Sequence, residues 1–230
     1  MAKPKVILFS GVSLDGRIDF GSGTIDMGLY YELASRWNAD AMLSGSNTML
    51  AADATGSAPE PDTYIPPTEL HPLAVPRLVV VDSRGRIRNW NSLRSQPFWR
   101  EVTVLCSHAT PDEYLEYLER REIPFIIAGS DRVDLRAALE ELNTRFGVQS
   151  VRVDSGGILN GVLLRAGLVD EVSVLIDPCI VGGTSPRTGF VAPDLTSPEG
   201  IIRLRLIHTE QVQENIVWLK YQVVRNNGDG

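Results

Sequence analysis

The chain has 230 residues, of which 43% are hydrophobic and 22% are charged, and its formal net charge is −7. This length and composition suit one large domain with a packed core, and the acidic balance argues against nucleic acid and anionic membranes as partners. The apolar run that follows Lys5 is too short for a signal peptide or a membrane span. We therefore expect a cytoplasmic protein that forms a single domain over residues 1–230.

The cysteines and histidines show no spacing typical of a metal site. Cys106 and Cys179 lie far apart, each inside an apolar run, which favours reduced thiols in a cytosolic protein over a disulfide. His71, His108 and His208 are scattered along the chain. We expect no metal ion.

Short β-branched runs alternate with helical patterns, which is typical of parallel strands joined by crossover helices. The predicted elements are, in chain order, strand 5–10, helix 25–38, strand 39–45, a short helix capped within 46–48, strands 77–81 and 102–106, helix 111–121, strand 123–128, helix 134–146, strand 150–154, helix 157–166 and strand 171–176. Residues 201–209 and 215–224 have strand composition without a helix between them, so we expect an antiparallel hairpin.

Two further segments show little periodicity. Residues 54–76 are rich in Pro, Ala, Thr and Ser and predict a long surface loop, and residues 226–230 predict a disordered tail. Together the patterns predict an α/β fold with a mostly parallel sheet, flanked by helices and extended by a C-terminal antiparallel hairpin.

The segment Asp154-Ser155-Gly156-Gly157 carries a predicted strand directly into a predicted helix. Backbone N–H groups at a helix N-terminus favour an anion, and glycines let a phosphate approach the backbone closely. The same glycines could instead serve only as a tight turn. Neither the three-glycine dinucleotide fingerprint nor the phosphate loop ending in Gly-Lys-Ser/Thr occurs in the chain.

A second polar segment, Asp82-Ser83-Arg84-Gly85-Arg86, follows another buried strand. Ligands of open α/β sheets bind at the carboxyl ends of strands. A hydroxyl beside guanidinium groups suits a phosphate monoester such as the ribose 2′-phosphate of NADPH. The alternative is a solvated turn with two exposed arginines.

Four motifs, spread in order over nearly the whole chain, carry a resemblance to a known family. They are VSLDGRID, GSNTMLAAD, LVVVDSRGR and DSGGILNGVLLRAGLVDEVSVLIDPCIVGG, of which the last is the most specific. In these motifs the chain resembles the pyrimidine reductases of riboflavin biosynthesis, which share the dihydrofolate-reductase-like fold. The resemblance implies an NADPH-dependent homodimer that converts the ribosylamino side chain of a phosphorylated diaminopyrimidinone to ribitylamino. The Pro-Cys-x-x-Cys signature of zinc deaminases is absent, so the chain is similar to the stand-alone reductases.

The resemblance also implies which residues contact the cofactor. The family's contacts fall on the turn at Thr48, on Asp82 and Ser83, and on the glycine step with the first turn of the helix after it. NADPH is the expected cofactor and NADH the alternative. The predicted cofactor-binding set is Thr48, Asp53, Asp82, Ser83, Arg84, Ser155, Gly156, Gly157, Ile158, Leu159 and Asn160.

The family's substrate-binding glutamate falls on Asp154, a shorter acid, which is the predicted catalytic residue. We expect it to fix the amino groups of the pyrimidine or to stabilise a developing iminium charge, and a proton relay through it would require a raised pKa. Asp15 and Arg17 complete the predicted substrate-binding residues, although Asp15 also suits a simple turn. Arg17, Arg36 and Arg86 are candidates for the substrate phosphate, and each could instead be an exposed structural cation.

Two other functions remain open at this point. The segment Ala52-Asp53-Ala54-Thr55 departs from the family's pattern, so the chain could be a dihydrofolate-reductase-like enzyme that reduces another heterocyclic or imine substrate. Alternatively, the chain is a non-catalytic nucleotide-binding dimer, in which the residues of the glycine step and of the Asp82-Ser83 segment only form turns.

Overall fold

The structure is a computed structural model that describes residues 2–18, 25–52 and 75–225. The helices and strands are β1 Lys5–Ser13, α1 Met27–Ser35, β2 Ala41–Gly45, α2 Ser46–Ala52, β3 Arg77–Val81, α3 Trp90–Arg94, β4 Glu101–Cys106, α4 Asp112–Arg120, β5 Phe125–Ile127, α5 Leu135–Phe146, β6 Ser150–Val153, α6 Gly157–Arg165, β7 Glu171–Asp177, a 3-10 turn at Pro198–Gly200, β8 Leu204–Gln213 and β9 Ile216–Val223. Asp53, most of the predicted loop 54–76 and the predicted tail 226–230 lie outside the described residues.

The chain forms two compact units, each built from two stretches of sequence. The first unit comprises Met1–Pro4 and Asn38–Val151, and the second comprises Lys5–Trp37 and Arg152–Gly230. The expectation of a single domain over residues 1–230 stays a prediction.

The first unit contains a parallel sheet in the order β5-β4-β3-β2. Leu43 of β2 lies opposite Val79 of β3, which lies opposite Thr103 of β4. Leu78, Val79 and Val80 are completely buried, as expected for a continuous apolar run in a sheet covered on both faces. The burial of β3 on both faces of the sheet therefore agrees with its apolar composition.

The second unit contains strands in the order β6-β1-β7-β9-β8. The pairing of β1 with β7 is parallel, whereas β7 with β9 and β9 with β8 are antiparallel. Phe9, Leu33, Leu175 and Trp218 form the centre of its core. The predicted mostly parallel sheet and its C-terminal hairpin are both confirmed.

Local sequence signals place several helix ends. Asp134 caps α5 by accepting hydrogen bonds from the N–H groups of Arg136 and Ala137 at 3.0 and 3.1 Å. Gly147 ends the same helix in the left-handed conformation, with φ 67°. These are the acidic cap and the closing glycine that the sequence predicts.

The main differences from the prediction concern two strand boundaries and one helix. β1 continues to Ser13 rather than ending at residue 10, because its pairing with β7 extends to Asp177. The hairpin strand predicted at 201–209 lies at 204–213. Helix α3 was not predicted, since its five residues are too few to show a period, but its Trp90 and Leu93 are buried in the core of the first unit.

Candidate active site

Helix α6 begins directly after the Ser155-Gly156 step that follows β6. Gly156 is its N-cap residue, in an extended conformation with φ −72° and ψ 165°, and no side chain caps the helix. No acidic residue lies in the first turn. An N-terminus without an acidic residue in its first turn is suited to an external anion, and the predicted binding of an anion there stays a prediction.

Gly157 and Gly161 face a neighbouring segment of the same unit, residues 188–191. A Cβ atom at Gly157 would lie 2.0 Å from the carbonyl oxygen of Thr188, and one at Gly161 would lie 1.9 Å from that of Val191. The Val191 N–H donates to the Gly157 carbonyl at 2.9 Å. The space that glycine leaves at position 157 is thus filled by the chain itself and not by a ligand.

Asn160, a predicted cofactor residue, is completely buried. Its Nδ2 donates to the Gly189 carbonyl at 3.0 Å and lies 3.4 Å from Ser10 Oγ. These contacts hold segment 188–191 against β1, so the side chain has a structural role. On the surface of α6, Ile158 is 57% exposed, and Leu159 is half-buried.

Asp154 directly follows β6 and keeps partial exposure to solvent. Its Oδ1 accepts a hydrogen bond from the Tyr30 hydroxyl at 2.9 Å. Within the described ranges no hydrogen bond reaches Oδ2. Desolvation of the carboxyl by the surrounding protein raises the pKa of Asp154. The charge of Arg152 and the hydrogen bond from Tyr30 lower this pKa, but by less. A carboxyl with a raised pKa and one free oxygen is suited to hold or transfer a proton.

Asp15 and Arg17 both bind the loop at residues 181–185. The Asp15 carboxylate accepts the N–H groups of Val181 and Gly182 at 3.1 and 2.7 Å, and it also accepts the Ser13 hydroxyl at 2.6 Å. These hydrogen bonds, that of Ser13 first, lower the pKa of Asp15 to about 2. Asp15 is therefore an ionised residue that fixes this loop.

The Arg17 guanidinium lies on backbone carbonyl groups of the same loop. Nε donates to Gly182 at 2.8 Å, Nη1 to Ser185 at 2.5 Å, and Nη2 to Gly183. Arg17 is only 6% exposed. A substrate phosphate would have to compete with these carbonyls, so the predicted role of Arg17 in substrate binding gains no support from the geometry.

In the first unit, Asp82 is completely buried at the end of β3. Its Oδ2 accepts the N–H groups of Arg86 and Ile87 at 2.7 and 3.0 Å and the Tyr114 hydroxyl at 3.1 Å. Burial, together with the Asp82 charge, raises the pKa of Tyr114. The side chain of Asp82 thus shapes the 82–86 turn from inside, and a contact between Asp82 and a cofactor stays a prediction.

Ser83 and Arg84 form the exposed part of this turn. Ser83 Oγ accepts the Val133 N–H at 3.3 Å, but its own hydrogen has no acceptor in the described part of the chain. Arg84 is exposed, and it forms neither an ion pair nor a hydrogen bond with any described residue. Ser83 and Arg84 are consecutive residues that both have unused donors, a combination that suits a phosphate group.

The other arginine candidates are engaged in contacts. Arg86 Nη2 donates to Ser46 Oγ and Asn47 Oδ1, both at 2.7 Å, at the start of α2. Arg36 pairs with Glu210 at 3.3 Å. Thr48 lies in the first turn of α2 and is partly exposed.

The sequence did not reveal the tyrosines that support these carboxylates. Tyr30 lies 124 positions from Asp154, and Tyr114 lies 32 positions from Asp82. Each occupies a helix whose pattern predicts only burial. In the structure, a Cβ at Gly85 would lie 2.5 Å from the Tyr114 ring, and Gly85 has φ 61°, which together explain the glycine in the 82–86 turn.

The described residues contain neither a metal-binding cluster nor a membrane-spanning helix. No group of three or more His, Cys, Asp or Glu side chains lies close enough to bind a metal ion in residues 2–18, 25–52 and 75–225. Over the same ranges, no helix combines the length and the apolar character that a membrane crossing requires.

Two solved structures show the same fold. RibD of Acinetobacter baumannii superposes with a TM-score of 0.71 at 20% identity, covering 96% of this chain and 58% of that one. The riboflavin biosynthesis reductase Rib7 of Saccharomyces cerevisiae superposes with a TM-score of 0.65 at 21% identity, covering 96% and 90% of the two chains. The chain therefore spans little more than half of the Acinetobacter protein. At these identities the likeness shows the fold.

Two archaeal relatives match in sequence, and both are named 2,5-diamino-6-ribosylamino-4(3H)-pyrimidinone 5′-phosphate reductase. The protein of Methanothermobacter thermautotrophicus is 32% identical over 94% of this chain and 96% of its own length. That of Archaeoglobus fulgidus is 28% identical over 81% and 85%. The profile of the RibD C-terminal domain matches residues 4–218. The chain therefore belongs to the RibD C-terminal domain family.

Proposed function

We propose that the protein reduces the ribosylamino side chain of a diaminopyrimidinone 5′-phosphate to ribitylamino, with NADPH as the cofactor. The observation that carries this proposal is the match over 96% of the length of the Methanothermobacter reductase. The site adds a carboxyl of raised pKa at the position of the family's substrate-binding acid. A reductase of a phosphorylated pyrimidine is the function that accounts for both.

The donors of the 82–86 turn support NADPH as the cofactor. NADPH differs from NADH by a ribose 2′-phosphate, and Arg84 with the Ser83 hydroxyl offers unused donors to such a group. The uncapped N-terminus of α6 offers backbone N–H groups to an anion. Each of these two segments, taken by itself, therefore offers donors that suit a phosphate group.

The chemistry that NADPH would supply when bound is the hydride for reduction of the open-chain imine. The chain's own contribution is to orient the substrate and to manage charge near that carbon. Asp154 Oδ2, which no described residue binds, is the group that contacts the pyrimidine amino groups or the iminium nitrogen. Because the pKa of Asp154 is raised, the same carboxyl can also donate the single proton that the imine nitrogen gains when the C=N bond is reduced, and the carboxylate is then reprotonated from solvent.

We also propose that the protein is a cytoplasmic homodimer. β8 is an edge strand with 51% of the Leu206 surface exposed, and Leu204 and Ile207 beside it are exposed as well. Edge strands with apolar side chains favour pairing with another chain. Both cysteines are free thiols, which suits a reducing compartment. The dimer is tested by the molar mass of the protein in solution and of Leu206→Lys, which is expected to be monomeric.

The first test of the function is substrate-dependent oxidation of NADPH, followed by absorbance, with NADH in parallel. Asp154→Asn is expected to lower turnover strongly and to leave NADPH affinity unchanged. Asp194→Asn, an exposed aspartate without a partner among the described residues, is the matched control. Binding of NADPH without oxidation would indicate a different heterocyclic substrate. Failure of NADPH to raise the melting temperature would favour a non-catalytic protein.

A further inference from the structure

Tyr30, on α1, is the residue that binds the Asp154 side chain. Its hydroxyl oxygen lies 2.9 Å from Asp154 Oδ1 and 3.3 Å from the carbonyl oxygen of Phe9. A phenol carries one hydrogen, so the hydroxyl can donate to only one of these acceptors at a time. An ionised carboxylate is the stronger acceptor, and here it is also the nearer one.

Aromatic contacts fix the ring that carries this hydroxyl. The ring centroid of Tyr30 lies 4.5 Å from that of Phe9 and 5.5 Å from that of Tyr31. Phe9 is completely buried on β1. Packing between aromatic rings has preferred geometries, so the hydroxyl of Tyr30 is held at one place beside Asp154.

Two other charged or titratable groups act on Asp154 among the described residues. Arg152 lies two positions earlier, so both side chains leave the strand on the same face, and its Nη1 donates to the Ala34 carbonyl at 3.0 Å. Tyr31 is close enough for its pKa to be raised by Asp154, after burial as the larger cause, but it makes no hydrogen bond to the carboxyl. Within the described ranges, Tyr30 is therefore the hydrogen-bond partner that sets the orientation of Asp154.

We propose that Tyr30 is a positioning residue that holds Asp154 in one orientation through both protonation states of its carboxyl, with Oδ1 bound and Oδ2 available to the substrate. This inference rests on the proposed function, because it takes Asp154 to be the acid that meets the pyrimidine. It assigns a role to a residue that the sequence motifs do not include.

Because two acceptors lie near the Tyr30 hydroxyl, Tyr30 can keep its hydrogen bond to Asp154 whether the Asp154 carboxyl is ionised or protonated. When Asp154 is ionised, the Tyr30 hydrogen points to Oδ1. When a proton resides on Oδ1, the carboxyl donates to the Tyr30 oxygen and the Tyr30 hydrogen turns to the Phe9 carbonyl. Burial, followed by the Asp154 charge, raises the pKa of Tyr30 well above its usual value, so the phenol keeps its own proton throughout.

Tyr30→Phe tests the proposal, with Tyr31→Phe as the matched control on the same helix. The titration of the Asp154 carboxyl is followed by carbon-13 NMR, with Asp154→Asn identifying its signal. A hydrogen bond to a charged group is worth roughly a tenfold to hundredfold change in an equilibrium, so the Asp154 midpoint in Tyr30→Phe is expected to rise by about one to two pH units. The pH profile of kcat is expected to move in the same direction, with NADPH affinity unchanged.

Tyr31→Phe is expected to leave the titration and the profile in place. An unchanged Asp154 midpoint in Tyr30→Phe, or an equal shift in Tyr31→Phe, would overturn the proposal. The titration needs no substrate, so a shifted midpoint in a protein that does not reduce the pyrimidine would refute the proposed function and leave the positioning intact. Should Tyr30→Phe not fold, 3-fluorotyrosine placed at position 30 is decisive: it keeps the ring and makes the hydroxyl a stronger donor, so the Asp154 midpoint is expected to fall, and an unchanged midpoint would overturn the proposal.

Discussion

Substitution of Gly161 by alanine tests the packing of α6 against residues 188–191. The added Cβ would lie 1.9 Å from the Val191 carbonyl oxygen, about 1.5 Å short of an ordinary contact. Alanine in a helix interior gains about 1 kcal/mol over glycine. Overpacking costs about 1–3 kcal/mol and loss of the bond from Val191 N–H to Gly157 about 1 kcal/mol more, so we expect a net loss of about 1–3 kcal/mol.

The assay is urea unfolding, with the midpoint and slope both measured, and thermal unfolding alongside. A loss of that size lowers Tm by roughly 2–12 °C in a protein of this length. Val162→Ala is the control, because Val162 is the next residue of the same helix and is 48% exposed, so its change is expected to stay within about 0.5 kcal/mol. If Gly161→Ala were as stable as the unsubstituted protein, the close approach of the two segments would be refuted.

Three further predictions concern the turn at Arg84, the carboxylate of Asp15 and the two cysteines. Arg84→Ala is expected to weaken NADPH binding by roughly tenfold to a hundredfold, the usual range for a hydrogen bond to a charged group, and to leave NADH binding unchanged. Calorimetry with both nucleotides measures the two affinities. Equal losses for both would contradict a contact between Arg84 and the 2′-phosphate. Because the pKa of Asp15 is lowered from 3.8 to about 2, its contribution to stability is fully present above pH 3.8 and is lost as the pH falls through 2. Asp15→Asn should therefore flatten the acid limb of the stability curve between these values, and an identical limb in the variant would show that Asp15 does not fix the loop. Cys106 is buried, which raises its pKa to about 12, whereas Cys179 is partly exposed. An alkylating agent at mildly alkaline pH should therefore modify Cys179 in the folded protein and Cys106 only after unfolding. Mass spectrometry of the digested protein distinguishes the two sites.

The glycine step after β6 has a different role at each position. Gly156 is the extended N-cap of α6, and Gly157 leaves room for the carbonyl group of Thr188. A motif that predicts only an anion site thus also contains a packing requirement. The substitution Gly157→Ala would affect both, whereas Gly161→Ala isolates the packing contribution.

Much of the fold could be predicted because its signals are local. The run from Leu78 to Val80 is apolar throughout and is completely buried in the sheet. Asp134 and Gly147 cap α5 by contacts with residues of that helix. The antiparallel hairpin at the C-terminus followed from two strand-like runs without a helix between them. Helix α3 was missed because five residues do not complete two turns.

The candidate site could be predicted only in part. The positions of Asp154, Ser83 and Arg84 at strand ends follow from the sequence, because polar residues after an apolar run mark the edge of a sheet. The sequence does not show which atoms of these side chains remain available to a ligand. Asp82 and Asn160 belong to the same predicted cofactor-binding set, yet the side chains of both are buried and hydrogen-bonded within the chain.

By itself, the sequence determined the order of strands and helices, their caps and the family of the protein, since each depends on neighbouring residues or on a motif read in order. Only the tertiary structure decided that Tyr30 binds Asp154 and that Arg17 binds residues 182–185 instead of standing free. These partners are more than a hundred positions apart in the chain. A side chain's remaining donors and acceptors depend on which distant backbone and side-chain groups packing brings to it, and no local pattern encodes that.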